Sequence, residues 1–366
     1  MRIILAVTND LVGDQRLHRV CTTLHEAGHS VLLVGRELPQ SVAVQREYAT
    51  HRMQLRNLRG KLFYAEYNLR LLLFLLRTPA DALTANDLDT LPAMYVAARL
   101  KGCRLFYDSH EYFTEVPELI HRPATRRVWL WIEQRLFPRL KTVYTVNQSL
   151  ADIYAQLYGV AVTAIRNVPF RREAVAATPS DTQILLYQGA LNVGRGIELM
   201  IDAMAYLPEK YTLWIIGRGD VEEALRKHCE AQGLAHRVRF YGFIPLHELP
   251  PLTAQATLGF SLEEDLGLNY RYASPNKVYD YIQSGIPVLI SDLPEMRLTI
   301  ETYKVGELLT AAERTPAQLA QRVQAICENP TLHRRYAEAC RVAAETLCWE
   351  RESQRLLELY AVQNEA

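Results

Sequence analysis

Short apolar strands alternate with amphipathic helices along this chain, and the alternation breaks once, near the middle. In the first half the apolar runs at 3–8, 31–34, 82–84, 105–108 and 143–146 read as strands. The helix starting after Asp14 carries Leu17, Val20, Cys21 and Leu24 at i, i+3, i+4, i+7 spacing, and Gly28 stops it. Such β-α-β repetition predicts a doubly wound parallel sheet, with ligands at the carboxyl ends of its strands. The stretch from Arg166-Asn167-Val168-Pro169 to Thr178-Pro179-Ser180-Asp181 breaks the pattern and reads as a linker. Alternation then resumes, with strands at 184–188, 212–216, 238–241, 258–261 and 288–291 and helices at 195–206, 220–232 and 276–284. Two α/β units without detectable sequence repetition predict a bilobed molecule with a cleft. After Thr315 the chain reads as wholly helical.

The 366 residues suffice for two domains of ordinary size. Hydrophobic residues at 49% and charged residues at 22% place the chain among globular proteins. The net charge of zero argues against a nucleic-acid partner, yet it hides an asymmetry. Residues 1–166 carry 21 Lys and Arg against 15 Asp and Glu, a net +6, which the remainder cancels. The six cysteines show neither a C-x-x-C pair nor metal-ligand spacing with histidine, so reduced thiols and no metal site are expected. The amino terminus runs straight into a strand without a signal-peptide cleavage pattern, and the longest aliphatic run, 71–76, is too short to span a bilayer. A cytoplasmic location is expected, with membrane association on the cytoplasmic face left open.

The chemically richest segment is Ser274-Pro275-Asn276-Lys277-Val278-Tyr279-Asp280-Tyr281, followed by Ser284-Gly285-Ile286-Pro287-Val288. Proline opens a helix and glycine closes it. A helix start offers unpaired N–H groups and positive potential to phosphate, Lys277 adds a cation, and Asp280 offers a carboxylate to a ribose. Capping alone accounts for Pro275 and Gly285 but not for the pairing of Lys277 with Asp280. The segment resembles the donor-site helix of family 4 glycosyltransferases, in the branch with S-P-N-K-x-x-(E/D)-Y. That resemblance implies the GT-B fold: two Rossmann-like domains facing a cleft, with a helical tail returning to the first. It also implies retaining transfer from a nucleoside-diphosphate sugar without a metal or other cofactor.

Other segments extend the likeness. Gly189-Ala190-Leu191-Asn192-Val193-Gly194-Arg195-Gly196 is similar to the family's G-R-L-x-x-x-K-G loop. Gly189 and Gly196 match, Arg195 takes the lysine position as a diphosphate clamp, and Ala190 replaces a second arginine. Gly217 and Gly219 match an I-G-x-G-x loop, while Phe243 and Ile244 follow an F-x-G turn; by resemblance both loops line the nucleotide base. Asn276 and Asp280 join the donor set. Asp280 stands at the second glutamate of the family's E-x7-E pair, and Tyr272 stands where the first would be. Glu263, Glu264 and Asp265 lie nearby in the wrong register.

In the first lobe, Asp108-Ser109-His110-Glu111 puts a histidine just beyond a strand's carboxyl end and resembles the branch's D-x-H-E segment. The resemblance places His110 beside the transferred sugar and, with Arg195 and Lys277, in the catalytic set. Asn86-Asp87-Leu88-Asp89 ends another strand and matches the same branch. Gly13, Asp14 and Glu111 are acceptor-side candidates. The single glycine in that first loop is not a G-x-G-x-x-G fingerprint, which disfavours a nicotinamide enzyme. Residues 51–77 and 121–141 concentrate arginine among aromatic and aliphatic neighbours. Such a mixture suits an anionic membrane surface or a lipid-pyrophosphate acceptor, and equally a solvated helix face over an ordinary core.

The expected domains are 1–168 on the acceptor side, a linker at 169–182, a nucleotide-sugar domain at 183–345, and a helix at 346–366 packing back on the first. The expected activity is transfer of a sugar to a hydroxyl of a glycan or lipid-linked acceptor, in glycan, polysaccharide or glycolipid synthesis. Two rivals stay open: a sugar-nucleotide epimerase of the same fold, and an inactive scaffold subunit.

Overall fold

The computed structural model describes residues 1–172 and 182–361, so most of the expected linker lies outside the described residues. The chain divides into two units, Met1–Asn167 with Glu352–Ala366, and Val168–Arg351.

The first unit is built on seven parallel strands: β1 (Arg2–Ala6), β2 (Ser30–Arg36), β3 (Ala49–Met53), β4 (Ala82–Asn86), β5 (Arg104–Ser109), β6 (Thr142–Thr145) and β7 (Val162–Ala164). They lie in the order β3-β2-β1-β4-β5-β6-β7. The order reverses between β1 and β4, where a doubly wound sheet opens a ligand crevice at its strands' carboxyl ends. β4 is buried along its whole length, as a central parallel strand covered on both faces must be. The helix α1 (Gln15–Glu26) is capped by Asp14, whose side chain accepts from the Leu17 N–H at 3.0 Å. Its Leu17, Val20, Cys21 and Leu24 are all buried. Helices α2 (Gly60–Arg77) and α3 (Leu91–Lys101) pack against each other.

The second unit holds six parallel strands: β8 (Gln183–Gln188), β9 (Tyr211–Ile216), β10 (Val238–Gly242), β11 (Leu258–Ser261), β12 (Val288–Ser291) and β13 (Gly306–Leu309). Their order is β10-β9-β8-β11-β12-β13, reversing between β8 and β11. Strands β3, β7 and β13 go beyond what the apolar pattern predicts. All three are sheet edges with partly exposed residues, so neither a continuous apolar run nor a clean alternation marks them. The helix expected at 195–206 begins later and is shorter, spanning Ile197–Ala203 before a 3-10 turn at Met204–Tyr206. Gly196 at φ +67° caps it, and Arg195 lies ahead of it.

The final helix, Trp349–Ala361, ends inside the first unit. Tyr360 stacks on Phe106 with ring centroids 4.0 Å apart, and its hydroxyl lies 2.7 Å from Thr84 Oγ1. Truncation to Ala at this fully buried ring should cost about 3–5 kcal/mol. Tyr360→Phe should cost less, about 1–3 kcal/mol, because it removes a hydroxyl that Thr84 and Tyr144 share and leaves those buried groups without it. Urea-induced unfolding of both variants measures the difference, and equal losses would mean that the ring contributes little beyond its hydroxyl.

Candidate functional site

At the switch point of the second sheet, the chain leaving β11 brings Leu262 and Glu263 to the carboxyl ends of the strands. The Glu263 carboxylate is buried. One of its oxygens, Oε1, lies 2.6 Å from Lys277 Nζ and 3.5 Å from Arg195 Nη1. The other, Oε2, accepts from Ser261 Oγ at 2.7 Å. Burial opposes its charge, but Lys277, Ser261 and Arg195 together hold this carboxyl below the usual range. Lys277 Nζ also sits 4.6 Å from the centroid of the Tyr187 ring, and the Arg195 guanidinium 5.1 Å from that of Tyr270. Arg314 completes the cluster from a distant segment. It donates to the Leu262 carbonyl at 3.0 Å and to Ser291 Oγ at 3.0 Å, while Ser291 donates to the Glu263 carbonyl.

Lys277 is the second residue of the helix Asn276–Gln283, whose first turn follows Pro275. The four glycines predicted to hold the donor frame the same region. A Cβ on Gly217 would lie 1.8 Å from the Gly189 carbonyl oxygen, and φ there is +139°. Only glycine allows the loops after β8 and β9 to meet this closely. Gly219 stands likewise against Leu191, and Gly196 against the Leu262 carbonyl. Gly189 faces Lys277 directly: a Cβ there would lie 3.1 Å from Lys277 Cε. The structure therefore brings Gly189, Gly196, Arg195 and Lys277 around Glu263. Asn276 is exposed at the helix start, while Phe243 is exposed and Ile244 packs partly into the core after β10. Asp280 faces a different group: its Oδ1 lies 2.8 Å from Arg172 Nη2, and its Oδ2 accepts from Gln188 Nε2 at 3.2 Å.

The first unit carries a second polar cluster at its own switch point. Arg16, from the first turn of α1, grips Asp108 at the end of β5 through Nε at 2.9 Å and Nη2 at 2.7 Å. His110 Nε2 lies 3.0 Å from Asp108 Oδ2, and its Nδ1 lies 3.4 Å from Asp87 Oδ2. The His110 backbone N–H donates to Asp87 Oδ1 at 2.8 Å. Asp87 adopts the left-handed conformation, φ +61°, which a short polar side chain tolerates. Burial works against charge on the His110 ring, yet Asp87 and Asp108 outweigh it and raise its pKa to about 10. Asp89, bonded by Thr8 Oγ1 at 2.6 Å, is pushed by burial up to about 6. Of the acceptor-side candidates, Asp14 caps α1 and also accepts from Asn9 Nδ2 at 2.9 Å. Gly13 borders open space, and the exposed Glu111 offers its backbone carbonyl to Ser109 Oγ.

Glu263, Arg314 and Arg16 are the participants that sequence reasoning does not pick out. Glu263 is visible as the first acid beyond a strand's carboxyl end, a position that outweighs motif register. Arg16 and Arg314 meet their partners 92 and 52 residues away, where spacing carries no signal.

Two family models match this chain in tandem: Glycosyltransferase Family 4 over residues 14–169 and Glycosyl transferases group 1 over residues 171–342. EpsD of Bacillus subtilis (strain 168), a protein provisionally named as a glycosyltransferase, is 27% identical over 185 residues, covering 50% of this chain and 46% of its own. The chain thus spans about half the length of that relative. Among solved structures, sucrose-phosphate synthase from Thermosynechococcus elongatus superposes with a TM-score of 0.81 at 19% identity, covering 98% of both chains. Anabaena HepE in complex with UDP-glucose gives 0.73 at 18% identity, covering 99% of both. The fold is GT-B, and the chain belongs to family 4 of the glycosyltransferases.

Two measurements probe the clusters. His110 gains a folded-state pKa above the ordinary 6.5, so its stabilising charge is fully present below pH 6.5 and lost as pH rises through about 10. Ring titration by NMR should show the His110 midpoint near 10, and Asp108→Asn should lower it; an ordinary midpoint would contradict the cluster geometry. In the second unit, Glu263→Ala strands two cations and should destabilise the fold by about 3–5 kcal/mol in urea unfolding. A loss under about 1 kcal/mol would mean the pair is no more than an exposed ion pair.

Proposed function

We propose that this chain is a retaining glycosyltransferase that binds a nucleoside-diphosphate sugar in its second unit and transfers the sugar to a hydroxyl of a glycan or lipid-linked acceptor. The observation that carries the reading is the sharing of one buried carboxylate, Glu263, by Lys277 and Arg195 beside glycine-lined loops. Two cations on one carboxylate leave net positive charge at a helix start, which suits a diphosphate. The UDP and UDP-glucose complexes of HepE support a donor of this class.

In this reading Lys277, Arg195 and the first amides of the Asn276–Gln283 helix stabilise the negative charge that develops on the departing diphosphate. Donors held in advance by packing act in this way without reorganising during reaction. Among the described residues, no group of three or more His, Cys, Asp or Glu is arranged to hold a metal ion. The roles assigned here fall to side chains and backbone, and no cofactor is assigned. Retention of configuration follows the family. His110, charged and fixed by two carboxylates, is assigned to orienting the transferred sugar. Asp280, engaged with Arg172, is assigned to the ribose only if nucleotide binding draws it away from that partner.

The test begins with a thermal-shift screen of nucleoside diphosphates and their sugars, since a ligand that binds the folded state raises its melting temperature. Turnover is then followed with the best donor. Lys277→Ala should lower kcat at least about a thousandfold while circular dichroism still shows a folded protein, although loss of one partner of the buried Glu263 pair lowers its melting temperature. A near-normal rate in that variant would overturn the assignment. Epimerised nucleotide sugar formed without acceptor would favour the epimerase, and no diphosphate binding at millimolar concentration would favour a scaffold.

A further inference from the structure

Helix α2 is apolar on two opposite faces. Phe63, Tyr67, Leu71 and Leu75 recur every four residues and are buried in the first unit. On the opposite side, Leu62, Leu69, Leu73 and Leu76 form a second stripe that faces solvent; Leu62 is 61% exposed and Leu69 59%. The inner stripe accounts for the packing of this helix, and among the described residues the outer one stays exposed. Lone exposed leucines are common, but an aligned row of four on one helix is a patch.

Neighbouring helices also display apolar residues to solvent. Asn68 Oδ1 accepts from the Ala93 N–H at 3.1 Å, joining α2 to α3, whose Leu100 is 67% exposed. Tyr64 meets Trp129 edge-on at 5.1 Å, joining α2 to the helix Pro123–Leu136. That helix displays Val128 and Trp131, the latter 60% exposed with the Arg135 guanidinium above its ring.

Charge decides what covers this surface. The three helices carry eight Lys and Arg against two carboxylates. Both carboxylates are committed. Glu66 accepts from the Arg56 and Asn57 amides and from Arg70, and Glu133 is buried against the Tyr158 hydroxyl. Lys61 and Arg77 accompany the leucines on α2, and Arg99 and Arg127 add charge on the other two helices, with no further acid on the same helices to offset them. A second copy of this face would bring like charges together. An anionic bilayer satisfies both demands at once: apolar side chains enter the headgroup boundary, long cationic side chains reach the phosphates, and tryptophan sits at the interface.

We propose that the outer face of α2, extended by α3 and the Pro123–Leu136 helix, docks the protein on an anionic lipid bilayer. The helix lies in the interface plane. Among the described residues, no helix is long and apolar enough to cross a membrane. The docking surface lies on residues 61–77, 96–100 and 127–135, and excludes β3 and the loop after it. Docking of this kind is independent of the donor chemistry in the second unit.

Co-sedimentation of the full chain with vesicles tests it. The protein should pellet with an equimolar phosphatidylcholine–phosphatidylglycerol mixture and stay in solution with phosphatidylcholine alone. Salt at about 1 M should release it, because charges are then screened within roughly 3 Å. Leu69→Ser with Leu73→Ser should weaken partitioning at least about tenfold, since each leucine gives up apolar burial in the membrane. Lys61→Glu with Arg77→Glu should do the same through charge, and Trp131→Ser reports from a separate helix. All these side chains are exposed, so melting temperatures should hold, and a variant that melts early is replaced by one of the others. Absence of wild-type binding to anionic vesicles, or unchanged partitioning by all three variants, would overturn the proposal. So would a wild-type dimer at sedimentation equilibrium that the leucine variant converts to monomer, because a second copy would then be the occupant.

Discussion

A carboxylate taken out of water must be matched by nearby positive charge or give up its own, and Glu263 is matched twice. One oxygen serves both Lys277 and Arg195, and the other is held by Ser261. Buried pairs of this kind seldom add net stability over an apolar replacement, because desolvation consumes most of the Coulombic gain. What the pair does secure is position. Lys277 is pinned between Glu263, the Tyr187 ring and the Gly189 backbone. The loops after β8, β9 and β11 are packed around it with contacts that only glycine permits.

The first unit repeats the physical arrangement with different residues. An aspartate at the end of β5 is gripped by an arginine from α1, and the same carboxylate holds a histidine at the strand's edge. In both units a cation from elsewhere in the chain neutralises an acid next to the point where the strand order reverses. That is where a doubly wound sheet leaves room for a ligand.

Much of this architecture is legible in the sequence, and the failures share a cause. Central strands announce themselves because both faces are buried, so β1, β4, β8 and β12 read as apolar runs. The edge strands β3, β7 and β13 bury too little to leave a pattern. Among the candidate-site residues, Lys277, Arg195 and the glycines are readable because motif and local geometry coincide. Glu263 falls outside the motif's register, although its place one residue beyond Leu262 at the end of β11 is the better guide. Asp280 reads as a ribose ligand from its place in the motif, and the sequence gives no sign of the pairing with Arg172 and Gln188 that the fold adds. The outer leucines of α2 are hidden for another reason: a helix apolar on two faces looks like core, and only the fold shows which face is left over.

If Glu263 and Lys277 act as one unit in holding a diphosphate, substitutions at the two positions must be coupled. A double-mutant cycle on diphosphate affinity, with Glu263→Gln, Lys277→Met and the double variant titrated by calorimetry, tests this most directly. Lys277→Met should weaken binding sharply, and the two substitutions should be non-additive by about 0.5–3 kcal/mol. Wild-type affinity in Lys277→Met, or strict additivity within experimental error, would contradict the coupling.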